Sequence, residues 1–348
     1  MCGRPHIGGM PALPSRPDRW IETRPEGLYV RPGDFYVDPI RPVGRAVITH
    51  GHSDHARSGH GAVLATAETA RIMAARMGAA APSTQALAPG VAMAIGPVTV
   101  RLVPAGHVLG SAQVVLEHAG CRVVVSGDYK RQADPTCAPF EIVPCDVFVT
   151  EATFGLPVFK HPPAEAEIAR LLDSLRLFPD RAHLVGVYAL GKCQRVMALL
   201  RRAGYDRPVY LHGALIALCT LYDELGCDLG SWLPATGAAK ADLKGQVVLC
   251  PPSALSDLWS RRLPDPLIVA ASGWMRIRQR ARQRGVELPL VISDHADWPE
   301  LLATMADTGA GDIWVTHGRE EALVFAARQQ GRRARALAMV GREEDDAE

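Results

Sequence analysis

The segment Thr49-His50-Gly51-His52-Ser53-Asp54-His55 carries the densest chemistry in the chain. Four side chains able to hold a metal ion fall within six positions, far closer than 12 histidines in 348 residues would place them by chance. His50 and His52, two apart, can close on one ion, and Asp54 and His55 then turn toward a second. Imidazole mixed with carboxylate suits Zn²⁺ or Mn²⁺, whereas an all-oxygen site would suit Mg²⁺. No G-x-S-x-G offers a competing serine nucleophile.

These residues must be held by elements around them. The apolar run before His50 reads as a buried strand over 46–49, so the ligands sit on the loop leaving it. Other strands are expected over 28–30, 35–37, 62–65, 98–103, 113–117, 121–126 and 146–150, with a helix over 66–77. From about residue 162 the rhythm becomes an α/β alternation. Helices are expected over 163–178, 191–203, 215–225 and 255–262, and strands over 182–187, 208–211, 246–250 and 267–271. A last αβ segment follows, with strands over 290–293 and 312–316 and helices over 299–308 and 319–330. The first 20 residues, rich in Pro and Gly, read as a disordered tail, and 341–348 as a mobile acidic tail.

The 38 basic residues nearly cancel the 37 acidic ones, so a polyanion would have to be met by a local patch. Arg276, Arg278, Arg280, Arg282 and Arg284 are one such run, spread around a helix. The eight cysteines form no C-x-x-C pair, which argues against a zinc knuckle and a disulfide scaffold. With no apolar leader and no stretch near the ~20 residues a membrane span needs, the expectation is a soluble, cytoplasmic protein with no membrane partner.

H-x-H-x-D-H after an apolar run resembles the signature of the metallo-β-lactamase fold, and further motifs follow in that family's order. The resemblance implies His107, in Pro-Ala-Gly-His, beside His50 and His52 on one ion. It implies His317, in Trp-Val-Thr-His-Gly, beside Asp54 and His55 on the other, with Asp128, in Val-Ser-Gly-Asp-Tyr, between the two. Asp38, in Phe-Tyr-Val-Asp-Pro, would orient the ligand loop. Two ions about 3.5–4 Å apart polarise a phosphoryl oxygen and lower the pKa of a shared water.

That motif fits lactams, thioesters and phosphodiesters alike. What discriminates is the span between Asp128 and His317, about 190 residues holding the α/β segment. This arrangement is similar to the β-CASP branch, whose added domain clamps nucleic acid. The implied fold is α/β, an αββα metallo-β-lactamase sandwich (21–158 and 288–340) with a β-CASP insert (159–287). By the same resemblance His295, in Ser-Asp-His-Ala-Asp, protonates the leaving oxygen, and Glu151, in Thr-Glu-Ala-Thr-Phe-Gly, holds it. Lys192 and Gly191 at a helix start, and Ser272 with Gly273 after a strand, resemble segments of the Artemis-type DNA-repair nucleases that face a terminal phosphate.

Taken whole, the chain resembles the bacterial ligase-associated DNA exonucleases, which implies DNA as substrate and a DNA ligase and helicase as partners. His317 and Gln194 are shared instead with the RNA-processing branch, so an RNA-processing nuclease is the alternative. A non-catalytic nucleic-acid-binding subunit and a small-molecule thioesterase are further rivals; the complete ligand set argues against the first.

Overall fold

A computed structural model describes residues 16–337; the expected tails over 1–15 and 341–348 lie outside them. The first sheet is built from β1 (Ile21–Arg24), β2 (Gly27–Val30), β3 (Phe35–Val37), β4 (Arg45–Val47) and β5 (Ala62–Ala65). After α1 (Ala67–Met77) it is completed by β6 (Thr84–Ala86), in the order β1-β2-β3-β4-β5-β6. The chain then forms β7 (Ala92–Ile95), β8 (Val98–Pro104), β9 (Ala112–His118), β10 (Cys121–Val125) and β11 (Val147–Ala152) of a second sheet.

An all-parallel third sheet follows. Its elements are α2 (Ala164–Leu177), β12 (His183–Gly186), α3 (Lys192–Arg202), β13 (Val209–Leu211), α4 (Gly213–Glu224), β14 (Trp232–Pro234), β15 (Val247–Cys250), β16 (Leu267–Ala271), α5 (Arg278–Gln283) and β17 (Leu288–Leu290). Its strand order is β14-β13-β15-β12-β16-β17. The chain returns through α6 (Trp298–Asp307), β18 (Asp312–Gly318), α7 (Glu320–Gln329) and β19 (Arg333–Ala336), and the second sheet closes as β19-β18-β11-β10-β9-β8-β7.

The first two sheets face each other across one apolar core, in which Leu28, Val30, Val47 and Leu64 meet Val100, Leu102, Val114 and Val123. Met73 of α1 packs on the outside of the first sheet, and Leu301, Met305 and Leu323 of α6 and α7 on the outside of the second. Each sheet thus buries both faces, which explains why its central strands are runs of Val, Leu and Ile rather than alternating patterns. The third sheet packs Val185, Leu211 and Leu249 against Leu171 of α2, Val196 of α3 and Leu215 of α4.

Several expectations need correcting. Residues 255–262 are not an α-helix but two 3-10 turns, Pro252–Ser256 and Ser260–Arg262. Asp257 adopts extended backbone (φ −77°, ψ 165°) and interrupts the run, and Leu258 is left 70% exposed rather than buried on a helix face. Residues 16–20, assigned to the tail, form the turn Pro17–Arg19 and then bury Trp20 in the core between the sheets. The arginines of 276–284 do not share one helix, since Arg276 ends a separate 3-10 turn and α5 is only six residues long. No helix among the described residues is long and apolar enough to cross a membrane.

Candidate metal centre

Strand pairing gathers the chemistry at one edge. β8, β10, β11 and β18 run in the same direction, so Pro104, Val125, Ala152 and Gly318 end near one another. The loops leaving the first two carry His107 and Asp128, and the last two strands themselves carry Glu151 and His317. β4 of the facing sheet delivers the His50–His55 loop to the same place. Gly127 lets Asp128 approach: it adopts φ +56°, and a Cβ there would fall 2.7 Å from Thr49 Cβ. His317 itself sits at φ +60°, an uncommon conformation for a residue with a side chain.

The Oδ2 oxygen of Asp128 is the focus. It lies 3.4 Å from His50 Nε2, 3.3 Å from His55 Nε2 and 3.7 Å from His107 Nε2. Ligand atoms of His50, His52, His107 and Asp128 all lie within 4.8 Å of one another, as do those of His55, Asp128 and His317. Asp54 flanks the second group, 3.3 Å from His55 Nε2.

Each inner imidazole has its other nitrogen pinned from behind. His50 Nδ1 lies 3.0 Å from Thr49 Oγ1, whose own hydrogen goes to Asp38 Oδ2 at 2.6 Å. His55 Nδ1–H donates to Asp38 Oδ2 at 2.7 Å, His52 Nε2–H to the Leu190 carbonyl at 3.2 Å, and His107 Nδ1–H to the Asp294 carbonyl at 2.8 Å. Carboxylates and carbonyls can only accept, so these bonds fix the tautomers and aim the remaining lone pairs at the cavity. His52 Nδ1 and His107 Nε2 consequently face each other at 3.0 Å, and His50 Nε2 is buried with no hydrogen-bond partner. Lone pairs so opposed need a cation between them, and nitrogen with carboxylate oxygen is a donor set for zinc or a similar divalent ion. The residues fit such an ion.

The electrostatics of His52 and His107 agree. Burial, reinforced by His50, depresses His52 to about 4, and burial likewise pushes His107 down, so both stay neutral as ligands must. Burial opposes charge on His55 too, but Asp128, Asp54 and Asp38 outweigh it and raise its pKa. Asp128 stays ionised despite its burial because His55 and His50 face it.

Beside this cluster His295 Nδ1 lies 2.9 Å from Glu151 Oε2. Glu151, fully buried, also accepts from Tyr129 N at 2.7 Å and Thr153 Oγ1 at 2.5 Å. Burial disfavours the His295 cation, yet Glu151 overcomes it and raises the pKa to about 9.

The residues anticipated for a phosphate pocket, Lys192, Gly191, Ser272 and Gly273, make contacts within the protein. Lys192 is buried, with Nζ 2.9 Å from Asp294 Oδ2 and 2.8 Å from the Ile292 carbonyl. Gly191 N donates to Gln194 Oε1 at 2.8 Å, and Ser272 Oγ caps Trp274 N at 3.3 Å. Gly273 is needed for packing, because a Cβ there would meet the Phe154 ring at 2.4 Å.

Three residues escaped the sequence reading. Thr49 was visible only as the residue before the motif. Lys130, two after Asp128, is 3% exposed, and burial first, then Arg195, lower it to about 8. His161 has both ring nitrogens buried without a partner; burial first, then Lys130 and Lys192, depress it to about 3. Nothing in Lys-His-Pro-Pro marks it.

Comparison with known proteins defines the class first. "Endoribonuclease ysh1" of Aspergillus fumigatus is 36% identical over 102 residues, 28% of this chain and 12% of that protein. "Endoribonuclease YSH1" of Saccharomyces cerevisiae is 38% identical over 101 residues, 28% of this chain and 13% of that one. With the His/Asp cluster, these matches bear out the resemblance to the β-CASP nucleases that the motifs carried. A bacterial relative covers far more of the chain. "Probable DNA ligase" of Opitutus terrae is 28% identical over 329 residues, 91% of this chain and 31% of that protein. The chain therefore spans less than a third of the length of these curated relatives. A solved protein of unknown function from Enterococcus faecalis V583 shares the fold, with a TM-score of 0.56 at 12% identity over 80% of this chain and 76% of that one. No protein-family profile matches.

Proposed function

We propose that the chain is a metal-dependent phosphodiesterase that hydrolyses nucleic acid, acting on DNA as an exonuclease in repair. In this reading residues 21–158 and 288–340 are an αββα metallo-β-lactamase frame, and 159–287 are its β-CASP insert. The observation that carries it is the convergence of pinned imidazoles on Asp128 Oδ2. His50, His52 and His107 would hold one divalent ion, Zn²⁺ or Mn²⁺, and Asp54, His55 and His317 a second, with Asp128 shared. Such ions supply an ionised water and polarise the phosphoryl group. Asp38 and Thr49 keep the ligand loop in register from behind. His295, cationic through Glu151, gives its proton to the departing oxygen, and its exposure of about a quarter lets substrate reach it. Lys130, Lys192 and His295 add to burial in depressing His161, and cations so gathered favour an anionic substrate.

The "Probable DNA ligase" relative supports DNA and a ligase partner, while a helicase partner rests on the motif resemblance alone; the "Endoribonuclease YSH1" relatives support RNA processing about equally. End-labelled DNA and RNA single strands of equal length, supplied together with Mn²⁺ or Zn²⁺, separate the two. Mononucleotide release from DNA is the expected result. Cleavage of RNA alone would replace this reading with the RNA one, and release of only long internal fragments would overturn the exonuclease mode.

A further inference from the structure

Many of the surface arginines among the described residues rest against a carboxylate. Arg45 pairs with Asp34, Arg71 with Glu224, Arg122 with Glu117 and Arg181 with Glu287. The segment from the 3-10 turn Gly273–Arg276 into α5 departs from this. Residues 276–284 contain no acid at all, and Arg276, Arg278 and Arg282 are exposed with no ion pair among the described residues. Arg276 Nε reaches the Val158 carbonyl at 3.4 Å, which ties the segment to the stretch carrying exposed Lys160.

This run is joined to the metal centre by aromatic contacts. The Phe154 ring lies 6.1 Å from His295 and 4.9 Å from Trp274. Trp274 also packs 5.1 Å from Phe159 and carries the Arg280 guanidinium 4.3 Å above its ring. Trp274 is thus an anchor for the basic segment rather than a free stacking platform. Within α5 only Ala281 is buried, so the exposed arginines add little to folding. Like charges left uncompensated on a short helix repel, and a linear polyanion relieves that repulsion.

We propose that Arg276, Arg278 and Arg282, with Lys160, form a strand-tracking surface that grips the phosphates of a nucleic-acid strand on the His295 side of the metal centre. This rests on the nuclease reading and extends it, since it adds substrate contacts beyond the metal ligands and His295. The contacts are to phosphates and carry no sequence preference.

The full-length R276A/R278A/R282A variant, with labelled oligothymidylate in EDTA, tests it by salt titration. Loss of three phosphate contacts should flatten the log–log salt dependence by about two and weaken binding at least ~10-fold at low salt. The corresponding triple-lysine variant should keep the native slope. Turnover of bis-para-nitrophenyl phosphate with metal should fall far less than strand binding, because so small a diester has no flanking phosphates for these exposed arginines to hold. An unaltered slope and affinity, or a fall in diester turnover equal to the fall in binding, overturns the surface. Should the native protein fail to cleave the small diester while strand binding still depends on the arginines, the hydrolase reading fails and the surface stands.

Discussion

Lys192 Nζ lies 2.9 Å from the carboxylate of Asp294, both side chains almost fully buried, and the Asp294 carbonyl accepts the His107 Nδ1 hydrogen at 2.8 Å. A helix of the third sheet therefore supports, through one aspartate, an imidazole of the metal centre. Arg195 of the same helix braces Asp294 at 3.1 Å.

Breaking this pair from one side should be costly. Lys192→Met leaves buried Asp294 only Arg195, which Asp134 already shares, and stability should fall by about 3–5 kcal/mol, since breaking a buried ion pair from one side is strongly destabilising. The double variant Lys192→Met/Asp294→Asn should recover part of the loss. Urea unfolding of the three proteins measures this. A loss under ~1 kcal/mol in the single variant would show that the pair is not what holds the loop.

Thr49 should matter to a metal it never touches. Its hydroxyl donates to Asp38 and accepts from His50 Nδ1, so Thr49→Val leaves the His50 tautomer unset and Asp38 short of a partner. Metal affinity should fall about 10- to 100-fold, the usual cost of losing such support. Thr49→Ser should restore it. Equilibrium dialysis against Zn²⁺ reads the effect, and native affinity in the valine variant would rule the relay out.

The legible parts of the molecule were those whose signal is local. The loop carrying His50 to His55 announced itself because its ligands are adjacent, and strands such as Phe35–Val37 and Ala62–Ala65 because their apolar runs end in turns. Edge strands were invisible: Arg333–Ala336 alternates arginine with alanine and buries a single residue. Lys192 shows a different limit. Glycine and lysine at a helix start look alike whether the ammonium points outward or folds back onto Asp294, and that partner comes from a distant part of the chain. His161, likewise, is defined only by what surrounds it after folding.

Divalent metal should stabilise the folded chain strongly. At free ion a hundredfold above the dissociation constant the gain is about 2.7 kcal/mol, so the melting temperature should rise with Zn²⁺ or Mn²⁺ and return with chelator. Asp128→Ala, which removes the oxygen shared by both ligand groups, should abolish that rise. His295→Ala should keep it, since that side chain stands outside the proposed ligand sets. A His295→Ala protein that no longer responds to metal would make His295 a ligand instead of a proton donor.

The last expectation concerns pH. His295 works as an acid only while protonated, so on the alkaline side cleavage should decline as pH rises through its pKa. Glu151 is the group that raises that pKa against burial. Glu151→Gln keeps the side chain's size but removes its charge, so the His295 pKa must fall and the alkaline decline should begin at lower pH. The maximal rate below that decline should drop less than in His295→Ala, because the imidazole is still present. A pH–rate profile of kcat for both variants decides it. If the decline in Glu151→Gln stays where the native enzyme has it, the proton comes from elsewhere and the Glu151–His295 contact is structural.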